Sequence, residues 1–476
     1  MQTECNSQRI LFQELGRREV LADFQGGNIT SDAGGLLLGD INRGKRVIER
    51  FTHCFTDFRN HKLIDHKLKE LLAQRIYGIA LGYEDLNDHD RLRCDPLLAT
   101  LVGKADPLGE SRKREEDKGK AMAGKSTLNR LELTPGDAGK KSRYKKIVYH
   151  PERIERFFVE MFLASYEQAP EKIIIDVDTT DDAIHGNQEG SFFHGYYDKY
   201  CYLPLYIFCS DHLLGALLRS SNIDGAAGCL AELQRIIGQI RERWPKTKII
   251  IRGDSGFCRE EIMLWCEQRE NREQIYYVLG MPKNERLKRY IKKAMRKARN
   301  RFSRTKKASR FFRTFSYRTL KSWQRKRTVI GKAEYMEKGE NPRFIVTNLP
   351  LEYGTGQELY EKFYCARGDM ENRIKEQQLW LFADRTSTEL MRSNQLRLWF
   401  SSVAYVLIAE LRRIGLKGTE MEKAQVGTIR TKLFKIGALV KVSVRRVLIT
   451  MSSAYPYAEL FNQIVRNIRL QYPLLT

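Results

Sequence analysis

Two short runs constrain the fold of this chain more than any other feature. They are Lys172-Ile173-Ile174-Ile175-Asp176-Val177-Asp178 and Lys248-Ile249-Ile250-Ile251-Arg252-Gly253-Asp254. Each is a continuous β-branched stretch ending in an acid, the pattern of a strand buried on both faces. Around them lies an ordered string. Pro151 opens a helix that runs to about Tyr166, because proline is tolerated at the first helical position. Tyr202-Leu203-Pro204-Leu205-Tyr206-Ile207-Phe208 and residues 213–219 read as strands joined tightly by Ser210-Asp211-His212, which makes a hairpin. Residues 225–244 form an amphipathic helix stopped by Pro245, residues 259–270 another helix, and residues 275–279 a fifth strand. A hairpin-linked front half followed by helical crossovers predicts a mixed sheet with helices on its faces.

The acids at the strand ends carry the chemical reading. Asp176 and Asp178 share one face of their strand, since alternate side chains point the same way. If the strand ending at Asp254 lies beside it, the carboxylates converge at one sheet edge. Clustered carboxylates repel one another without a cation, and Mg²⁺, a hard ion that wants oxygen ligands, is the natural partner. Two such ions about 4 Å apart clamp the attacking and leaving oxygens of a phosphodiester exchange. A third carboxylate is expected from the helix read over residues 358–382. There Tyr364, Arg367, Glu371 and Lys375, spaced by three, four and four, fall in one narrow stripe.

Charge points to the same class of partner. The chain has 83 Lys and Arg against 59 Asp and Glu, a net +24. Residues 283–327 hold 20 of those cations and one acid, Glu285. Such an excess repels itself unless an anionic partner is present, and a polyphosphate is the commonest one. Aromatics interleave the run, among them Tyr290, Phe302, Phe311, Phe312, Phe315, Tyr317 and Trp323, which favours folded nucleic-acid binding over a solvated tail. Lys292, Lys293, Arg296, Arg299, Lys306, Lys307 and Arg310 are the candidate DNA contacts there.

The first 150 residues read as mostly helical. Ser31 and Asp32 can cap a helix through Leu36, Leu37 and Leu38, and residues 65–81 form another closed by Gly82. Asn129 and Arg130, in the short element Ser126-Thr127-Leu128-Asn129-Arg130-Leu131-Glu132, are of the types that read bases or grip phosphates. The neighbouring Gly119-Lys120-Ala121-Met122-Ala123-Gly124-Lys125-Ser126 satisfies a phosphate-loop string. That loop needs a buried strand before it, and Ser111-Arg112-Lys113-Arg114-Glu115-Glu116-Asp117-Lys118 is no core strand. The nine cysteines, Cys5, Cys54, Cys94, Cys201, Cys209, Cys229, Cys258, Cys266 and Cys365, include no C-x-x-C pair, which argues against a disulfide framework or zinc ribbon and suits a reducing compartment. The 42% hydrophobic content excludes a wholly disordered chain. No apolar stretch is long enough to span a bilayer, and no signal-peptide pattern opens the chain.

The order Asp178, Asp254, Glu371, with Tyr364-x-x-Arg367-x-x-x-Glu371, resembles the DDE transposases of bacterial insertion sequences, and most closely the group numbered thirteen-eighty. The segments that carry the resemblance are Asp176-Val177-Asp178-Thr179-Thr180-Asp181-Asp182, His185-Gly186-Asn187-Gln188-Glu189-Gly190, His194-Gly195-Tyr196-Tyr197-Asp198, Arg252-Gly253-Asp254-Ser255-Gly256-Phe257 and Arg367-Gly368-Asp369-Met370-Glu371-Asn372-Arg373-Ile374-Lys375-Glu376. Gly82-Tyr83-Glu84-Asp85 and Ser126-Thr127-Leu128-Asn129-Arg130 extend it to the first domain. Related transposases often place a lysine seven residues after the third acid, where this chain has Gln378.

The resemblance implies an α/β fold: a ribonuclease H-like mixed sheet flanked by helices, interrupted by a mainly β insertion, with a helical N-terminal DNA-binding domain. On that basis residues 1–150 form the N-terminal domain with its basic linker. Residues 151–283 form the first part of the core, 284–355 the basic insertion, 356–415 the second part with the glutamate helix, and 416–476 a C-terminal extension. The resemblance implies that Asp178, Asp254 and Glu371 hold two Mg²⁺ ions, with Mn²⁺ able to substitute, and that Tyr364, Arg367 and Lys375 support them. Asp176 is the alternative first acid. Trp323 is the candidate for holding a flipped base, and His185 and His194 are loop or phosphate-contact residues rather than metal ligands. The implied activity is cleavage at terminal inverted repeats and strand transfer to target DNA. The implied partners are double-stranded DNA and a second copy in a synaptic homodimer, with no membrane, in the bacterial cytoplasm at the nucleoid. A nuclease that cuts without joining and a transposase-derived protein that only binds DNA are the competing readings.

Overall fold

The computed structural model describes residues 9–473 apart from residue 272. The chain divides into two compact units, one of residues 1–52, 56–148 and 403–476, the other of residues 53–55 and 149–402.

The second unit is a mixed α/β structure. Its elements are α1 (Pro151–Leu163), β1 (Lys172–Thr179), β2 (Asp182–Ala183), β3 (Phe192–His194), β4 (Lys199–Tyr202), β5 (Leu205–Cys209) and β6 (His212–Leu217). They continue with α2 (Cys229–Arg243), β7 (Lys248–Gly253), α3 (Glu260–Cys266), β8 (Ile275–Met281) and α4 (Glu285–Thr305). The last strands are β9 (Ser309–Tyr317), β10 (Arg327–Met336), β11 (Gly339–Glu340) and β12 (Arg343–Thr347). One nine-stranded sheet runs β6-β5-β1-β7-β8-β12-β10-β9, with β11 paired to β10. The β1–β7 and β7–β8 pairs are parallel and the remaining pairs antiparallel. The expected hairpin is present, turning at Ser210, whose φ is 51°.

Alternation along β1 divides its side chains between two cores. Ile173, Ile175 and Val177 join a large apolar cluster with residues of α1, α2, α3 and α4. Ile174 faces a second cluster with Ile250, Val278, Ile330 and Ile345, which Leu359, Tyr360 and Tyr364 cover. Asp176 and Asp178 lie on this second face.

The basic segment departs from the expected mainly β insertion. It opens with the 21-residue helix α4, begun by Asn284, whose Oδ1 accepts from the Leu287 amide at 2.9 Å. Leu287, Ile291, Met295 and Ala298 are its buried residues, at helical spacing. The strands that follow, β9, β10 and β12, extend the central sheet itself. The expected long helix over 358–382 is a succession of turns: α-helical Gly356–Glu358, π-helical Leu359–Tyr364, 3₁₀ Cys365–Arg367, α-helical Gly368–Lys375 (α5) and π-helical Glu376–Trp380.

The first unit is not wholly helical. Its helix Leu68–Leu81 ends as expected at Gly82, φ 101°. Strands are present too: the hairpin Ile10–Leu15 with Arg18–Ala22, and Ile29–Thr30, which pairs with Ala438–Val442. Through that pairing, Thr30 opposite Ala438 and Ile29 opposite Leu439, the C-terminal residues belong to the same unit as the N-terminal ones. The phosphate-loop string has no strand before it: Glu115–Asp117 is a 3₁₀ turn, and Lys125 starts the helix Lys125–Glu132. The eight described cysteines are all free, and Cys5 lies outside the described residues. Among the described residues no helix is long and apolar enough to cross a membrane.

Candidate active site

The parallel register of β1 and β7 sets Asp176 beside Arg252 and Val177 beside Gly253. The next pair in line is Asp178 and Asp254, so the condition the sequence posed, that these two strands adjoin, is met. A Cβ at Gly253 would lie 2.9 Å from Val177 and 3.0 Å from Phe257. Asp254 caps the turn after β7, its Oδ1 accepting from the Gly256 amide at 2.8 Å. A Cβ at Gly280 on β8 would lie 2.5 Å from the Tyr364 hydroxyl and 2.8 Å from the Ser255 amide nitrogen. Tyr364 therefore reaches the sheet against the Asp254 turn only because residue 280 has no side chain.

Arg367 joins the remaining acids. Its Nη1 donates to Asp178 Oδ2 at 2.8 Å and its Nη2 to Glu371 Oε1 at 2.7 Å. The 3₁₀ turn Cys365–Arg367 leads directly into α5, so arginine and glutamate sit one helical turn apart. Burial pushes the Asp178 carboxyl up to about 6; Asp254 and Glu371 push the same way, while Arg367 and the Thr179 amide oppose them. Asp178 and Glu371 thus share one guanidinium, and burial opposes ionisation of Asp178.

Asp176 is engaged differently. Arg252 clasps it through Nε at 2.5 Å and Nη2 at 2.7 Å. Arg252 also donates from Nη1 to the Phe363 carbonyl. Both side chains are buried. Burial raises the Asp176 carboxyl, with Arg252 opposing. The partner was readable in the sequence, since Arg252 occupies the same place in its strand as Asp176 in its own.

Lys375 is exposed on α5 and makes no ion pair among the described residues. Gln378 turns toward β2, donating to the Asp181 carbonyl at 3.0 Å and to Asp182 Oδ1 at 2.7 Å. Burial pushes Asp182 up to about 8, an acid the sequence reading passed over. His185 is exposed, and the His194 ring lies 5.0 Å from that of Tyr197.

Trp323, the candidate for holding a flipped base, is packed into the fold. It is 6% exposed, with the Arg327 guanidinium 5.3 Å from its ring and Tyr317 edge-on at 5.9 Å. Glu260 and Glu267 hold Arg327 in turn. Lys292, Lys293, Arg296, Arg299, Lys306, Lys307 and Arg310 are exposed, but Arg299 pairs with Glu340 and Arg310 with Glu334 and Glu361. Asn129 and Arg130 are exposed on their helix in the other unit.

Residues 12–472 match the family model described as "Transposase DDE domain group 1". The chain belongs to the DDE transposase family. Members of this family generally use divalent metal ions. No curated protein matches the sequence. Among solved structures, a cryo-EM structure of the piggyBac transposase synaptic complex with hairpin DNA is similar at 10% identity, covering 84% of this chain and 79% of that chain with a TM-score of 0.41.

The donor chemistry of this DDE transposase suits a hard cation: carboxylate oxygens at the ends of adjacent parallel strands, with a further carboxylate, Glu371, sharing a guanidinium with Asp178. Among the described residues no three His, Cys, Asp or Glu side chains gather closely enough to hold a metal. The Arg367 guanidinium bridges Asp178 and Glu371 instead.

Proposed function

We propose that this protein is a cut-and-paste transposase of the insertion-sequence type, close to the thirteen-eighty group. It binds terminal inverted repeats, cleaves the element's ends and joins them to target DNA. The observation that carries the reading is the placement of Asp178 and Asp254 at the ends of adjacent parallel strands, with Glu371 linked to Asp178 through Arg367. The sheet of hairpin, parallel strands and crossover helices supports the ribonuclease H-like reading of residues 151–283 and 356–415. Helix α4 and the strands after it serve as the basic DNA-handling element.

Asp178, Asp254 and Glu371 would hold two Mg²⁺ ions, with Mn²⁺ serving in their place; when bound, they supply charge neutralisation at the reacting phosphate. Asp178 is the first acid, because Asp176 is taken up by Arg252. Arg367 keeps Asp178 and Glu371 aligned, and Tyr364 packs beside Asp254. Lys375, exposed one turn after Glu371, supplies a cation to the DNA backbone. Lys292, Lys293, Arg296, Lys306 and Lys307 contact phosphates, Arg299 and Arg310 joining them by exchanging their carboxylate partners. Asn129 and Arg130 contact the terminal repeat, and two copies meet in the synaptic complex. The proposed place of action is the bacterial cytoplasm, at the nucleoid.

The test is cleavage and joining of a labelled duplex carrying the element's terminal repeat, with Mg²⁺, by wild type and Glu371→Gln. Cleavage and joining by wild type alone supports the reading. Cleavage without joining makes the protein a nuclease. Tight, salt-sensitive binding with no chemistry by either makes it a DNA-binding descendant of a transposase.

A further inference from the structure

The chain that leaves β1 is held at two points by one run of helical turns. Arg367 holds Asp178. Gln378, about two helical turns after Glu371, holds the residues that follow. Its Nε2 donates to the Asp181 carbonyl at 3.0 Å and to Asp182 Oδ1 at 2.7 Å. Its Oε1 accepts from the Thr180 hydroxyl at 3.5 Å, the longest of these contacts. One amide thus engages Thr180, Asp181 and Asp182, and Glu371 lies between the two holding points in sequence. Thr180 and Asp181 belong to neither β1 nor β2, so this stretch depends on ties outside the sheet ladder.

The two ties differ in kind. Arg367 works through ion pairs, for which an incoming cation or phosphate competes. Gln378 works through an uncharged amide. Asp182 is 1% exposed, and among the described residues its Oδ2 has no hydrogen-bond partner. Lys199, the nearby cation, is held by Asp181, which leaves Asp182 to Gln378. Burial raises the Asp182 carboxyl to about 8; Asp384 and Asp181 push the same way, while Gln378 and Lys199 oppose them. At neutral pH the Gln378–Asp182 contact therefore joins two uncharged groups, and salt, which screens charges, does not weaken it. A side chain that grips phosphate needs a cation to offer. Gln378 has none, and its amide is occupied within the protein.

We propose that Gln378 is a positioning residue: it ties residues 180–182 to the helix that carries Glu371, and so keeps Asp178 and Glu371 aligned when the Arg367 ion pairs open. The proposal rests on the transposase reading of the same site. Its test uses the full chain. Gln378→Leu removes the amide, and Gln378→Glu keeps the size and removes the donor, which covers a failure of the leucine variant to fold. Asp182→Ala removes the acceptor and Asp182→Asn keeps one. Hydrogen exchange in EDTA without DNA reads the tie directly. In Gln378→Leu the amides of residues 179–184 should exchange at least about tenfold faster, with those of β7 and β8 unchanged. A displacement of about 1 Å can cost about a hundredfold in rate, so Gln378→Leu, Gln378→Glu and Asp182→Ala should each slow end cleavage at saturating DNA by about ten- to a hundredfold. The DNA concentration giving half the limiting rate should move less than about threefold. Asp182→Asn should cleave within about threefold of wild type, since its acceptor is retained. Gln378→Leu combined with Asp182→Ala should lose much less than the product of the single losses, because both break the same contact.

A raised half-saturating DNA concentration with an unchanged limiting rate would make Gln378 a DNA contact and overturns the proposal. So does loss of cleavage in Asp182→Asn, which would make Asp182 an acid of the reaction itself. Faster exchange across the whole sheet overturns it as well, since Gln378 would then support the fold in general. The two readings fail separately. If wild type cleaves terminal-repeat duplexes and Gln378→Leu cleaves them as fast, only the positioning role is lost. If wild type neither cuts nor binds such duplexes, the transposase reading is lost and the positioning role with it.

Discussion

The guanidinium of Arg367 lies 2.8 Å from the carboxylate of Asp178. Its other terminal nitrogen lies 2.7 Å from Glu371, so one planar group spans two acids from different elements. Lysine cannot reproduce this, because an ammonium is a point charge rather than a fork. Arg367→Lys is expected to lower the rate of end cleavage by ten- to a hundred-fold, and Arg367→Gln by more, while terminal-repeat affinity in EDTA changes little. Equal losses of rate and affinity in gel-shift and cleavage assays would show that Arg367 grips DNA rather than aligning acids.

Asp176 and Asp178 differ by two residues and are expected to fail in opposite ways. Removing Arg252 strands a buried carboxylate, a change that typically costs about 3–5 kcal/mol. Arg252→Met and Asp176→Asn should both lower the denaturant midpoint clearly. Asp178→Asn should leave the midpoint near wild type or above it, since burial and two neighbouring acids oppose ionisation there, yet abolish cleavage. A stable but inactive Asp176→Asn beside an active Asp178→Asn would reverse the assignment of the first acid.

Trp323 separates a structural aromatic from a recognition aromatic. It packs against Tyr317 and the clamped Arg327. Trp323→Ala should therefore cost about 3–5 kcal/mol of stability and leave DNA affinity of the folded fraction unchanged. A stable variant with lost DNA binding would return the residue to its expected role.

These contrasts show what the sequence could and could not disclose. The isoleucine runs of β1 and β7 were legible because a strand buried on both faces needs an unbroken apolar run. The adjacency of Asp178 and Asp254 followed from the crossover between those strands. Helix α4 was hidden by its charge: 20 cations and interleaved aromatics in residues 283–327 masked the spacing of Leu287, Ile291, Met295 and Ala298. The pairing of Thr30 with Ala438 was beyond reach, since nothing local couples strands so far apart in sequence. Burial of Trp323 depends likewise on Glu260 and Glu267, which hold Arg327 over its ring from a distant helix and its end.

The first unit carries a pH signature of its own. His89 is fully buried, with Gln74 Nε2 3.1 Å from its Nδ1. Burial, with Arg75 adding, pushes its imidazole down to about 3; burial and Lys104 do the same to His66. Both are neutral in the folded state at pH 5, whereas an unfolded histidine titrates near 6.5. The unfolded state therefore binds more protons between about 6.5 and 3, and stability falls as pH drops through that window. Each histidine contributes about 1.4 kcal/mol per pH unit well inside it. His89→Leu should flatten the decline between pH 6 and pH 4 in urea unfolding. An unchanged slope would mean that His89 is protonated in the folded protein.

The exposed face of α4 makes a prediction about salt. Lys292, Lys293 and Arg296 carry no carboxylate partner among the described residues, unlike Arg299, which pairs with Glu340. Free cations neutralise phosphates and release counterions, so each one engaged adds about 0.9 to the slope of log affinity against log salt on duplex DNA. The triple variant Lys292→Gln, Lys293→Gln, Arg296→Gln should lower that slope by about two to three and weaken binding most at low salt. Arg299→Gln should lower it less, because Glu340 already occupies the guanidinium. Anisotropy between 50 and 200 mM salt with a random-sequence duplex reads both slopes. Equal effects of the triple and single variants, or a slope unchanged by three lost charges, would remove α4 from the DNA-binding surface.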